Sequence, residues 1–66
     1  MKITDKNELQ MNDTVELRNG KERVSGTVEN VGRDAGKLSQ VTAVWLNGVA
    51  YELRPLGKWS LVTADR

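Results

Sequence analysis

Val41-Thr42-Ala43-Val44-Trp45-Leu46-Asn47-Gly48-Val49-Ala50-Tyr51-Glu52-Leu53-Arg54 is the stretch that decides the fold. Two runs rich in β-branched and aromatic residues flank Asn47-Gly48, a dipeptide that accepts the positive φ angles of a tight hairpin turn. The stretch therefore predicts two antiparallel strands, one over about Ser39 to Leu46 and one over Val49 to Arg54. Pro55 cannot donate to a ladder, so the chain leaves the sheet there, through a short 3₁₀ turn.

Two registers fit this hairpin. A two-residue turn pairs Leu46 with Val49, Val44 with Tyr51 and Thr42 with Leu53, and places Val41, Ala43, Trp45 and Ala50 outside. A three-residue loop with a Gly bulge slips the register by one and exchanges the faces. Trp45 then pairs with Tyr51, and Thr42, Val44 and Leu46 point outward. In both registers several apolar side chains lie on the outer face.

Working outward, Thr14-Val15-Glu16-Leu17-Arg18 alternates strictly and predicts a strand with Val15 and Leu17 inside. Asn19-Gly20 supplies its turn. A strand over about Arg23 to Val31 follows, with Val24, Gly26 and Val28 on one face. Gly26 inside it marks a bend or bulge. Gly32 to Lys37 reads as a polar loop. Trp59-Ser60-Leu61-Val62-Thr63 predicts a short closing strand, with Trp59 plugging the core. The expected organisation is an N-terminal segment over 1–12, a barrel over 13–63 and a frayed end over 64–66. Within the first segment, Asp5 and Glu8 have capping-box spacing and predict one irregular turn.

Five short strands with tight turns predict an all-β fold, one domain, closed as a small five-stranded barrel. The chain resembles a bacterial KOW- or Tudor-type SH3-like domain. Met11-Asn12-Asp13-Thr14-Val15-Glu16-Leu17 stands where such domains open with V-G-D-x-V-x-L, Asn12 replacing the usual Gly. Gly26-Thr27-Val28 matches their G-x-V strand, Val41 to Gly48 their V-x-V-x-W-x-x-G hairpin, and Leu53-Arg54-Pro55-Leu56 their short turn. The resemblance spans about residues 9–63 and implies an SH3-like barrel that binds protein or nucleic acid, such as an accessory or regulatory protein of a bacterium, phage or mobile element. The Tudor aromatic cage does not carry over, because Trp45, Tyr51 and Trp59 are the only aromatics. The chain resembles more weakly a plasmid-type dihydrofolate reductase, a barrel whose active site forms at the centre of a tetramer. Its Val-Gln-Ile-Tyr motif is absent, and Val49-Ala50-Tyr51-Glu52 stands instead.

The chain has 66 residues and no cysteine, so neither disulfides nor thiolate metal sites reinforce it. A domain this short buries only about 60% of its unfolded surface. No apolar run approaches the roughly 20 residues of a membrane helix, and Met1-Lys2-Ile3-Thr4-Asp5 lacks the apolar stretch of a signal peptide. A cytoplasmic location is the expectation. Histidine is absent as well, which removes the commonest general base along with the Cys nucleophile. No phosphate-binding glycine motif occurs. The expectation is a binding module without catalysis, cofactor, metal or small-molecule substrate.

Lys and Arg number 10 against 9 Asp and Glu, a net charge of +1, and the signs alternate along the chain. Dedicated nucleic-acid binders usually carry a strong basic excess. The first reading is therefore a protein interface, or self-association, through the apolar hairpin face. Trp, Tyr and Arg are enriched at interface hot spots, which makes Trp45, Tyr51 and Arg54 candidates, together with Val44 and Leu46. A competing structural account has the N-terminal Ile3, Leu9 and Met11 folding over that face. The alternative function is RNA or DNA binding through Arg18, Lys21, Arg23, Arg33 and Lys37 in or near two loops, with an exposed Trp45 stacking a base. An oligomeric enzyme with a composite site is the remaining one.

Overall fold

The computed structural model describes residues 1–34, 36 and 40–66. Among these residues, seven strands form two antiparallel sheets. The four-stranded sheet has the order β1 (Lys2–Ile3), β7 (Ser60–Asp65), β2 (Thr14–Asn19), β3 (Glu22–Thr27). The three-stranded sheet has the order β4 (Asn30–Asp34), β5 (Gln40–Leu46), β6 (Val49–Glu52). The chain is all-β as expected, but the expected count of five strands is corrected to seven. One reason is β1. The other is that the strand expected over Arg23–Val31 divides at Val28 and Glu29. The Val28 amide donates to the Asp13 carbonyl at 2.8 Å and the Glu29 amide to the Trp45 carbonyl at 2.9 Å. Asp13 immediately precedes β2 and Trp45 lies in β5, so consecutive residues hydrogen-bond toward different sheets and the chain turns the corner between them.

Val15 and Leu17 face inward from β2, opposite Gly26 and Val24 of β3. They join Ile3, Leu9, Val28, Val41, Val44, Leu46, Leu53 and Ala64 in one core, to which both sheets contribute. A register slip between Glu16 and Leu17 against β7 leaves Val62 outside. The β2–β3 turn lies one residue later than the sequence suggested: Asn19 pairs with Glu22, and Gly20, at φ 63°, is a central residue with Lys21. Asn12 adopts φ 76°, the left-handed geometry that Asn tolerates better than most side chains.

The 3₁₀ turn is found at Lys6–Glu8, where the Asp5 carboxylate accepts the Asn7 amide, and not near Pro55. After β6, the turn around the cis Arg54–Pro55 bond is closed by the Gly57 amide on the Leu53 carbonyl at 2.8 Å, a wider i to i+4 ring. A side chain at Gly57 would collide with the backbone of Glu52, so this turn requires glycine.

The N-terminal segment is stitched to β5 beside its pairing with β4. Asn7 Oδ1 accepts the Val41 amide at 2.9 Å, and Lys6 Nζ donates to the Val41 carbonyl at 2.8 Å. These side chains complete backbone groups next to the place where β4 and β5 slip register, between Gly32 and Arg33. Leu9 and Ile3 are buried, whereas Met11 is exposed. Gly32, Arg33 and Asp34, expected in a loop, belong to β4.

The expectation of a frayed 64–66 is also corrected. Strand β7 continues to Asp65, Ala64 is buried, and Arg66 closes on Asp13 through Nε–Oδ1 at 3.0 Å and Nη2–Oδ2 at 3.2 Å. Asp13 is 1% exposed and also accepts the Gln10 amide. The Arg66 hydrogen bonds hold its carboxyl below the ordinary aspartate value, helped by that amide and opposed by burial. Among the described residues, no helix is long and apolar enough to cross a membrane.

Candidate functional site

The Asn47-Gly48 turn selects one of the two registers. Both residues have positive φ, 53° and 79°, the type I′ pattern of a two-residue hairpin. Leu46 pairs with Val49, Trp45 with Ala50, Val44 with Tyr51 and Ala43 with Glu52. Val44 and Leu46 are therefore interior, at 0% and 1% exposure. Their expected role as contact residues is corrected: the three-residue loop that would have turned them outward does not form.

Trp45 lies on the outer face of the three-stranded sheet. Its neighbours across the ladders are Asn30 of β4 and Ala50 of β6. A Cβ built on Gly32 would stand 3.2 Å from Trp45 Cζ3 and 3.5 Å from the Ala43 Cβ. The indole therefore lies beside Gly32, where an added methyl group would have to displace it by a few tenths of an ångström. This support leaves Trp45 half-buried in the isolated chain, outside the core. A large aromatic already packed beside its own sheet loses little freedom on binding, which favours it as an anchor.

Beside Ala50 the face continues into a groove of about 260 Å³ lined by Ala50, Glu52, Leu56, Gly57, Lys58 and Trp59. Gly57 brings the turn down onto Glu52, and Leu56 at its apex is 73% exposed. Trp59 packs partly against the core and meets Tyr51 edge to face, with centroids 5.1 Å apart and planes at 89°. It is not the core plug the sequence suggested: it stays half-buried, packs against the core from outside and forms a wall of the groove. Tyr51 is half-buried on the Val44 side of β6, and Arg54 is exposed in the turn, its amide donating to the Trp59 carbonyl.

Of the predicted protein-binding residues, the structure keeps Trp45 on the outer face, whereas Tyr51 and Arg54 do not line the groove: Tyr51 reaches it only by its contact with Trp59 and lies on the opposite face of β6 from Ala50. Leu56 and Lys58, which line the groove, were not among the candidates, and Ala50 was expected only as part of the outer face. The hydrophobic Leu56 beside Pro55 in an otherwise polar turn was the available signal.

The basic candidates do not form one cluster. Arg18 stands opposite Arg23 on β2 and β3, next to exposed Lys21, but Arg23 is ion-paired to Glu16 at 2.8 Å. Arg33 lies in the other sheet, where its guanidinium donates to the carbonyls of Asn7 at 3.3 Å and Leu9 at 3.2 Å. It serves to hold the N-terminal segment. Lys37 lies outside the described residues. Among the described residues, no cluster of three or more acidic side chains could hold a metal ion.

No family model, curated protein or solved structure matches this chain.

Proposed function

We propose that this chain is a non-catalytic binding module of the SH3-like small-barrel type, which contacts a protein through the outer face of β4–β5–β6. The SH3-like reading is supported by the strand path: with β3 and β4 taken as the halves of one bent strand and β1 as an addition, five strands remain. The observation that carries the functional reading is Trp45. It lies beside Gly32, half-exposed, and leads through its ladder partner Ala50 to the groove beside Leu56 and Trp59. Aromatic and aliphatic groups that are continuous and only partly covered are what a partner can desolvate.

The test is a photoreactive residue placed at Ala50 in cells, with Trp45→Ala as the companion variant. Crosslinks to a protein that fall about tenfold with Trp45→Ala, while the fold survives, support the reading. Crosslinks that are absent, or indifferent to Trp45→Ala, overturn it.

The nucleic-acid reading retains Arg18 and Lys21, both exposed at the β2–β3 hairpin. Phosphate binding falls steeply with salt, whereas an apolar interface changes little. Sedimentation of the chain with short RNA or DNA across a salt series separates the two, and Arg18→Glu with Arg23→Glu abolishes binding only if the hairpin carries it.

A further inference from the structure

The backbone of β6 adds a feature to the groove that a merely sticky patch would lack. The Leu53 amide donates to the Thr42 carbonyl, so alternate residues Val49, Tyr51 and Leu53 direct their polar backbone groups toward β5. Ala50 and Glu52 direct theirs away from it. The Glu52 carbonyl is taken by the Trp59 amide at 3.1 Å. The amide and carbonyl of Ala50 have no backbone partner among the described residues, and Ala50 lines the groove.

An open strand edge is a template for another extended chain. Here the turn takes the Glu52 carbonyl and leaves the amide and carbonyl of Ala50 open at the groove. The volume, about 260 Å³, lies below the roughly 300–1,000 Å³ of small-molecule sites and suits a side chain entering from outside. The lining is amphiphilic: Leu56 and Trp59 are apolar, Glu52 is acidic and Lys58 basic.

We propose that the groove binds an extended segment of a partner polypeptide. The segment exchanges backbone hydrogen bonds with Ala50 and seats an apolar side chain against Leu56 and Trp59. A basic residue on one side of that anchor meets Glu52, and an acidic residue on the other meets Lys58. This inference deepens the protein-binding reading of the same face and rests on it.

The test is selection of a displayed library of random short peptides on the full chain, followed by affinities of the enriched peptides as synthetic compounds. The expected consensus is an aliphatic or aromatic residue flanked by opposite charges. Leu56→Asp, at an exposed position, should weaken these peptides about tenfold without unfolding the domain. Glu52→Lys should shift the preference at one flank from basic to acidic. Methylating one backbone amide of the peptide should weaken it similarly, since a strand pairing loses its donor there. A library that enriches nothing, peptides indifferent to Leu56→Asp, or a flank preference unmoved by Glu52→Lys each overturn the inference. If crosslinking from position 50 still responds to Trp45→Ala in those cases, the protein-binding face stands and only the extended-segment inference falls. If crosslinking fails as well, both fall.

Discussion

At the scale of single residues, two positions before β2 carry more than their size suggests. Asp13 is the one buried charged side chain among the described residues, and its two oxygens are both occupied. Asp13→Asn keeps the shape but loses the charge-assisted bonds to Arg66, and should cost about 1–3 kcal/mol by chemical denaturation. The pH dependence has a definite sign. The folded carboxyl titrates below its unfolded value of about 3.9, so its contribution is complete above that value and disappears as pH falls through the lower folded one. Acid melts should therefore show a decline in stability below about pH 4 that Asp13→Asn flattens. A variant with an unchanged acid limb would show that Arg66 does not hold Asp13 in solution. Asn12, next to it, sits at φ 76°. Asn12→Gly should be neutral or slightly stabilising, whereas Asn12→Val should destabilise by about 1–2 kcal/mol, because a β-branched side chain is strained there. Equal melting temperatures for the two would refute that account.

At the scale of the element, the β5–β6 hairpin separates interior from surface by one residue. Leu46 and Trp45 are adjacent in sequence and carry large apolar side chains, yet they point to opposite faces. Leu46→Ala should cost about 2–5 kcal/mol through the cavity it leaves. Trp45→Ala should cost less, since it opens no cavity within the core. Urea titrations that rank Trp45→Ala above Leu46→Ala would show that the hairpin has the other register. Much of this element was legible in the sequence, and what was missed has physical causes. Alternation and Asn47-Gly48 identified the hairpin, but both faces of β5 are apolar, so composition could not say which row was inside; besides Val44 and Leu46, Val41 and Ala43 from the row of Trp45 are buried too, although this register was expected to leave them outside. The deciding quantity was the number of residues in the turn, which the dipeptide alone leaves open. The division of β3 from β4 was hidden because alternation runs through Val28 without a break; only the change of hydrogen-bonding partner at Glu29 shows it. Leu56 escaped notice because the groove exists only once Gly57 has brought the turn onto Glu52, a contact between segments that no local pattern encodes. The basic residues looked equivalent as a list, yet Arg33 is committed to two carbonyls across the fold while Arg18 is exposed.

At the scale of the whole molecule, the two sheets do not have separate cores. Val15, Leu17 and Ala64 come from one, Val41, Val44 and Leu46 from the other, and Val28 sits on the link between them. With no disulfide available and only 66 residues, neither sheet can bury its apolar face alone. The sheets must therefore form and dissolve together, although the pairings that join β2 to β7 and β1 to β7 close most of the chain length and make the search for them slow. Leu17→Ala in the four-stranded sheet and Leu46→Ala in the three-stranded sheet should each lower hydrogen-exchange protection in both sheets by about the same amount, about 2–5 kcal/mol. Fluorescence of Trp45 and Trp59 and far-ultraviolet circular dichroism should give coincident unfolding curves in wild type and in both variants. If Leu17→Ala instead releases β1, β2, β3 and β7 while β4–β5–β6 stays protected, the hairpin face is an independently stable unit. Its binding would then survive loss of the other sheet, whereas a shared core requires that binding at Trp45 and global unfolding be coupled, so that a bound peptide raises the protection of both sheets alike.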